Sequence, residues 1–160
     1  MILKGFQIRA ATNQDVPSVK NVVFSSLREF GLYPDSNGKD KDLNDIESSY
    51  LSNNGFFGVV VHMETNLIVG CFGLFPMNDS ICELRKMYLS KETRGKGLGK
   101  FILDAAIHTA REKHYKKIIL ETISVLTTAI FLYKQYGFKE IKPREINARV
   151  DQAFELDIEP

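Results

Sequence analysis

The run Arg94-Gly95-Lys96-Gly97-Leu98-Gly99-Lys100 constrains this chain more than any other stretch. Three glycines at alternate positions cannot extend the strand-like pattern of Ile81 to Leu89, and beyond them Leu98, Phe101, Ile102, Ala105, Ala106 and Ala110 recur with a helical period. The run is therefore a turn that leaves a strand and starts an amphipathic helix. Glycine lets backbone approach a ligand closely, and the unpaired amides of a helix start, aided by the helix dipole, favour phosphate oxygens. Lys91, Arg94, Lys96 and Lys100 against Glu92 add a net +3. The segment reads as an electropositive cradle for a diphosphate.

Two common phosphate loops do not fit. A P-loop needs Ser or Thr after its Lys to hold magnesium, and Lys100 is followed by Phe101. A dinucleotide fingerprint follows the first strand of a parallel unit; Glu121 mimics its acidic residue, but an antiparallel meander precedes this loop. The whole chain carries only +1, so no overall field points to nucleic acid or a membrane surface. The charge is uneven: residues 1 to 80 hold six basic and nine acidic side chains, residues 81 to 160 fifteen and eleven, so an anion belongs in the second half.

Cys71 and Cys82 lie in apolar strand-like runs, read as small core residues, and set up no disulfide framework. A reducing, cytoplasmic setting is expected. With three scattered histidines there is no zinc pattern: His108 and His114 stand roughly 240° apart around a helix, and no metal is expected. The longest mostly apolar run, Ile68 to Met77, is too short to span a bilayer, and the first residues lack the apolar core of a secretory signal.

The 160 residues suit one domain, 1–160, without repeats or linkers. Alternation predicts strands at Phe6 to Ala10, Phe56 to His62, Leu67 to Phe75, Ile81 to Leu89, Lys117 to Thr122, Phe138 to Ile141 and Ala153 to Ile158. Helical periods predict helices at Val16 to Phe30, around Leu43 to Leu51, Gly97 to His114 and Val125 to Tyr136, the last closed by Gly137. The fold class is α/β (α+β): a mixed, mostly antiparallel sheet of about seven strands with about four helices on its faces.

Here the sequence resembles a known family. Arg94-x-x-Gly97-x-Gly99 matches the acyl-CoA pyrophosphate signature of the GNAT-type (GCN5-related) N-acetyltransferases. Glu-Leu-Arg-Lys-Met-Tyr-Leu before it resembles their fourth strand, and Ile119-Leu120-Glu121-Thr122 with Ala129-x-x-Leu132-Tyr133-x-x-x-Gly137-Phe138 their fifth strand and next helix. The resemblance implies a GNAT fold splayed between the fourth and fifth strands. It implies acetyl-CoA as cofactor, with CoA as product. Backbone around Met87, Tyr88 and Leu89 would pair with the pantetheine arm, and the amides of Arg94, Gly95, Lys96, Gly97, Leu98, Gly99 and Lys100 would hold the pyrophosphate. Many relatives carry Asn where this chain has Leu126, and Thr127 or Thr128 is expected to replace it.

The chemistry implied is direct attack of a primary amine on the thioester in a ternary complex. A lysine-like amine, with a pKa of about 10.4, needs a proton acceptor. Glu83 lies eleven residues before Arg94, where histone-type relatives place a general base; Glu121 matches the position used by ribosomal-protein N-terminal acetyltransferases. A Glu83 ion pair with Arg85 is the structural alternative. Tyr133 stands where the family's general acid sits, a core aromatic being its alternative. The mixed charge of Pro143 to Gln152, with Arg144, Glu145, Arg149 and Asp151, is expected to edge the acceptor site and to suit a zwitterionic or carboxylate-bearing small amine or amino acid over a protein amino group. A non-catalytic acyl-CoA sensor is the non-enzyme reading, and a homodimer is an assembly relatives often form.

Overall fold

The computed structural model describes residues 1–159. One sheet of eight strands runs in the order β1-β2-β3-β4-β5-β6-β8-β7. The strands are β1 (Ile2–Leu3), β2 (Phe6–Ala10), β3 (Phe56–His62), β4 (Leu67–Pro76), β5 (Ile81–Leu89), β6 (Lys117–Thr122), β7 (Lys139–Ile141) and β8 (Gln152–Asp157). The helices are α1 (Val16–Glu29), α2 (Ile46–Ser49), α3 (Leu98–Glu112) and α4 (Thr127–Gln135). All neighbours are antiparallel except β5 and β6.

The expected mixed sheet and four helices are present, with one strand more than predicted. Ile2–Leu3 folds back on Phe6 and Gln7 through Lys4 and Gly5, which have φ of 45° and 83°. A two-residue hairpin turn of this kind, type I′, needs positive φ at both positions, and Lys-Gly is a weak signal for it. The second helix is also fragmented: Asp45 is extended and caps the Ser48 amide at 3.0 Å, leaving α2 only four residues long between two short 3-10 turns.

Helices cover both faces of the sheet, which explains the nearly unbroken apolar sequence of β3. On one face α3 and α4 pack Phe101, Ile102 and Tyr133 against Phe72, Leu84 and Ile118; on the other α1 packs Val19, Val23 and Leu27 against Phe57, Val59 and Cys71. The fourth and fifth predicted strands, β5 and β6, pair only from Ile81 to Glu83 against Lys117 to Ile119. Beyond that they separate, and the sheet opens.

A bulge steers β5 into this opening. Cys71 pairs with Tyr88 and Gly73 with Arg85, so one residue of β4 faces two of β5, and Lys86 takes the left-handed φ of 53°. Cys82 and Leu84 therefore share the α3 face with Met87 and Leu89. Glu83 and Tyr88 turn to the other face.

Lys86 also anchors the loop between α1 and α2. Its ammonium lies 3.3 Å from both Asp40 and Asp42 and donates to the Lys39 carbonyl at 2.9 Å. Asp40 is fully buried and takes a two-point ion pair from Arg149 at 2.8 and 2.7 Å. Burial works against its charge, but hydrogen bonds from Arg149 and the Asp35 amide and the charges of Lys86 and Arg149 outweigh it, holding the carboxyl below its usual value. Lys86 and the Asp35 amide stay on Asp40 when Arg149 is removed, so the charge is not stranded, and Arg149→Ala is expected to cost about 1.5 to 3 kcal/mol in urea denaturation. Since the folded-state value is depressed, the wild-type contribution is present above about pH 4 and lost as pH falls through that lower value. The acid limb of the stability curve should flatten in the variant.

Candidate active site

A cavity of about 900 Å³ fills the opening between β5 and β6 and extends to the start of α3. Its cradle end is the glycine turn. Gly95 and Gly97 hold φ of 76° and 78°, and Gly97 precedes the first residue of α3. Among the described residues none of the amides from Gly95 to Lys100 donates to a backbone carbonyl, so they are the orphan donors of a helix start.

Of the predicted loop residues, Arg94, Gly95, Gly97, Leu98 and Gly99 line the cavity, whereas Lys96 and Lys100 lie outside its lining. The Arg94 side chain turns away to the C-terminal end of α1, reaching Glu29 at 2.5 Å and the Leu89 carbonyl at 3.2 and 3.0 Å. Glu29 also lies 3.9 Å from Lys91, so the local positive charge is smaller than the sequence sum implies. Met87, Tyr88 and Leu89 line the wall, and the Leu89 carbonyl is already taken by Arg94. Leu126, Thr127 and Thr128, at the first turn of α4, complete that end.

Tyr133 enters from the α4 face. The chain after it explains why it is held firmly: the Phe138 amide returns to the Tyr133 carbonyl and the Gly137 amide to Lys134, both at 3.1 Å, with Gly137 at φ 88°. This is a Schellman closure whose hydrophobic contact is Tyr133 on Phe138, ring centroids 5.7 Å apart. The Leu-Tyr-x-x-x-Gly-Phe motif is thus a helix stop that clamps one tyrosine. Its hydroxyl meets only the Met87 sulfur, at 3.8 Å, among the described residues. Burial, with Tyr88 nearby, pushes the phenol well above its ordinary value. Tyr88 is pushed up to about 12, mainly by burial.

Glu83 and Glu121 meet from the opposite face. Glu83 is buried and accepts from Arg85 Nε at 2.8 Å, so the ion pair weighed as its structural role is present. Both carboxylates also share a single donor that the sequence did not single out for this. Arg144 Nη2 bonds Glu83 Oε2 and, at 2.6 Å, Glu121 Oε1, while the Arg144 amide donates to Glu121 Oε2 at 3.2 Å. Arg144 lies in the loop between β7 and β8, which also lines the cavity with Asn147, Arg149 and Val150. The sequence put that loop at the edge of the acceptor site by its mixed charge, without pairing Arg144 with the two glutamates.

The decisive comparison is with family sequences: the model described as Acetyltransferase (GNAT) family matches residues 22–138. The chain belongs to the GNAT acetyltransferase family. An uncharacterized N-acetyltransferase of Escherichia coli K12, YjgM, is 37% identical over 139 residues, 84% of this chain and 82% of that protein. A solved GNAT-family acetyltransferase from Staphylococcus aureus Mu50 superposes with a TM-score of 0.88 at 26% identity, covering 96% of this chain and 99% of that one. A GNAT superfamily phosphinothricin acetyltransferase from Sinorhizobium meliloti, in complex with AcCoA, shares the fold with a TM-score of 0.75 at 17% identity, over 96% and 89% of the two chains.

This GNAT chain is thus an acyltransferase, and its family gap is the β5–β6 opening. Among the described residues no cluster of three His, Cys, Asp or Glu side chains could hold a metal, and no helix is long and apolar enough to cross a membrane. Two of the loop glycines serve different ends. A Cβ at Gly97 would meet open space, so its constraint is φ; a Cβ at Gly99 would stand 3.2 Å from Leu132 of α4. Gly97→Ala is expected to cost about 1 to 2 kcal/mol through its left-handed backbone alone. In urea denaturation that loss should persist when Leu132 is shortened to Ala, whereas any loss in Gly99→Ala should be relieved.

Proposed function

We propose that this protein transfers the acetyl group of acetyl-CoA to the amino group of a small amine or amino acid by direct attack in a ternary complex, with residues 1–160 forming one acetyltransferase domain. The observation that carries this reading is Tyr133, a buried phenol without an oxygen or nitrogen partner among the described residues, at the fork where Glu83 and Glu121 arrive from the other face. The residues fit the cofactor: a diphosphate finds free amides from Gly95 to Lys100, and an extended arm finds the unpaired edge of β5 at Met87. Thr127 at the start of α4 offers a hydroxyl to the same arm.

Acetyl-CoA supplies the thioester, whose carbon–sulfur bond is exchanged for a carbon–nitrogen bond to the acceptor. Glu83 and Glu121 receive the proton that the ammonium must lose, directly or through water. Tyr133 holds the proton that the departing sulfur needs. Its raised pKa keeps it protonated, so that proton is held where the sulfur departs. A non-catalytic acyl-CoA sensor is the competing reading, favoured by Arg144 lying on both glutamates.

Thiol release from acetyl-CoA against an amine panel separates the two. Turnover is expected with small amines; CoA binding without release for any amine would establish the sensor. Tyr133→Phe should retain CoA affinity and lose roughly 10² to 10⁴ in kcat. Because the phenol's pKa is raised, any alkaline fall in kcat due to Tyr133 should lie above about pH 10 and vanish in the variant.

A further inference from the structure

The fork of Arg144 is only partly used. Its Nη2 is fixed between Glu83 and Glu121, while among the described residues Nη1 reaches only the Met77 sulfur at 3.8 Å and Nε donates to no group. A guanidinium normally spends such donors in pairs on a carboxylate or phosphate. Arg144 is also half-exposed, with its side chain at 47%, and lines the cavity beside the two glutamates. Two anions and a partly free cation are thereby held next to each other at the acceptor end.

The surrounding charge adds a second constraint. Lys39, Arg85, Lys86 and Arg149 line the same end, and the acidic lining is limited to Glu83 and Glu121, with Asp40 and Asp42 behind Lys86. An acceptor that brought only positive charge would add to this excess. One that brought a carboxylate beside its amino group would alternate with it, amino group on the glutamates and carboxylate on the arginine.

We propose that the acceptor is an α-amino acid or a close zwitterionic analogue, and that Arg144 binds its carboxylate while Glu83 and Glu121 face its amino group. This rests on the acetyltransferase reading above and adds its substrate class. Arg144 is then the specificity residue: a protein amino terminus presents an amide where the free amino acid presents a carboxylate, and the unused donors of the fork distinguish the two. The glutamates act on Arg144 as well as on the amine, because they hold the guanidinium in place before the acceptor arrives.

The test compares matched pairs, each amino acid with its own carboxamide, in wild type, Arg144→Gln and Arg144→Lys, with CoA affinity measured as a check on the fold. Charge-assisted contacts of this kind predict that Arg144→Gln lowers the acid-to-amide ratio of kcat/KM by roughly ten- to a hundredfold; Arg144→Lys, keeping charge without the fork, should lie between. The amide's amine is the less basic of each pair in every variant, so the change in the ratio, not its wild-type value, isolates the carboxylate contact. A ratio that is unchanged in Arg144→Gln overturns the proposal. If no amine releases thiol, the acetyltransferase reading falls separately. Calorimetry with saturating CoA then decides the binding claim: amino acids that bind wild type and not Arg144→Gln support it, and amino acids that bind neither overturn it.

Discussion

The parting of β5 from β6 after three paired residues is the constraint on which the rest depends. A closed sheet separates the side chains of its two faces, so Tyr133 on the α4 side and Glu83 and Glu121 on the α1 side could never share a solvent space. A gap removes that barrier. It also leaves the facing edges of β5 and β6 beyond Glu83 and Ile119 unpaired, while their far edges keep β4 and β8, a state tolerated only where side chains, water or a ligand complete those edges. The bulge at Lys86 supports the gap by bending β5 and switching which residues face α3. The cavity, the free amides and the meeting of the two faces are thus consequences of one interrupted ladder.

The glycine turn was legible because its signal is local: positive φ, a helix start and basic residues all fall within seven positions. The Leu-Tyr-x-x-x-Gly-Phe stretch was legible for the same reason, since a helix closure couples residues five apart. The strands showed because period-2 burial is written along each one. Even the bulge left a trace, as the apolar positions Cys82 and Leu84 change phase to Met87 and Leu89, although alternation alone does not say where the extra residue lies.

What escaped the sequence was every contact made across it. Arg144 is 61 residues from Glu83 and 23 from Glu121, and Arg149 is 109 from Asp40. No periodicity connects such pairs. Charge in the 142–151 loop could be seen, but its partners depend on how β7 and β8 are laid beside β6, which follows from the whole sheet. The basic character of the cradle was overstated for the same reason: Glu29, at the far end of α1, takes up Arg94. A charge count along the chain cannot include a counterion brought from another element.

These distant pairs also make the acceptor walls interdependent. Arg149 ties the 142–151 loop to Asp40, Lys86 ties Asp40 to the bulge of β5, and Lys39 reaches Asn147 back across the mouth. The loop that carries Arg144 is therefore braced through buried charges to the loop opposite, and Ser124 with Asp151 at 2.8 and 2.6 Å secures its far end to the turn before α4. Burying ions costs solvation that their pairing only partly returns, so this bracing adds little net stability. Its value lies in geometry. Two irregular loops have no ladder to fix them, and a multi-point ion network supplies the fixed spacing between Arg144 and the two glutamates that the proposed reading of a zwitterion would require.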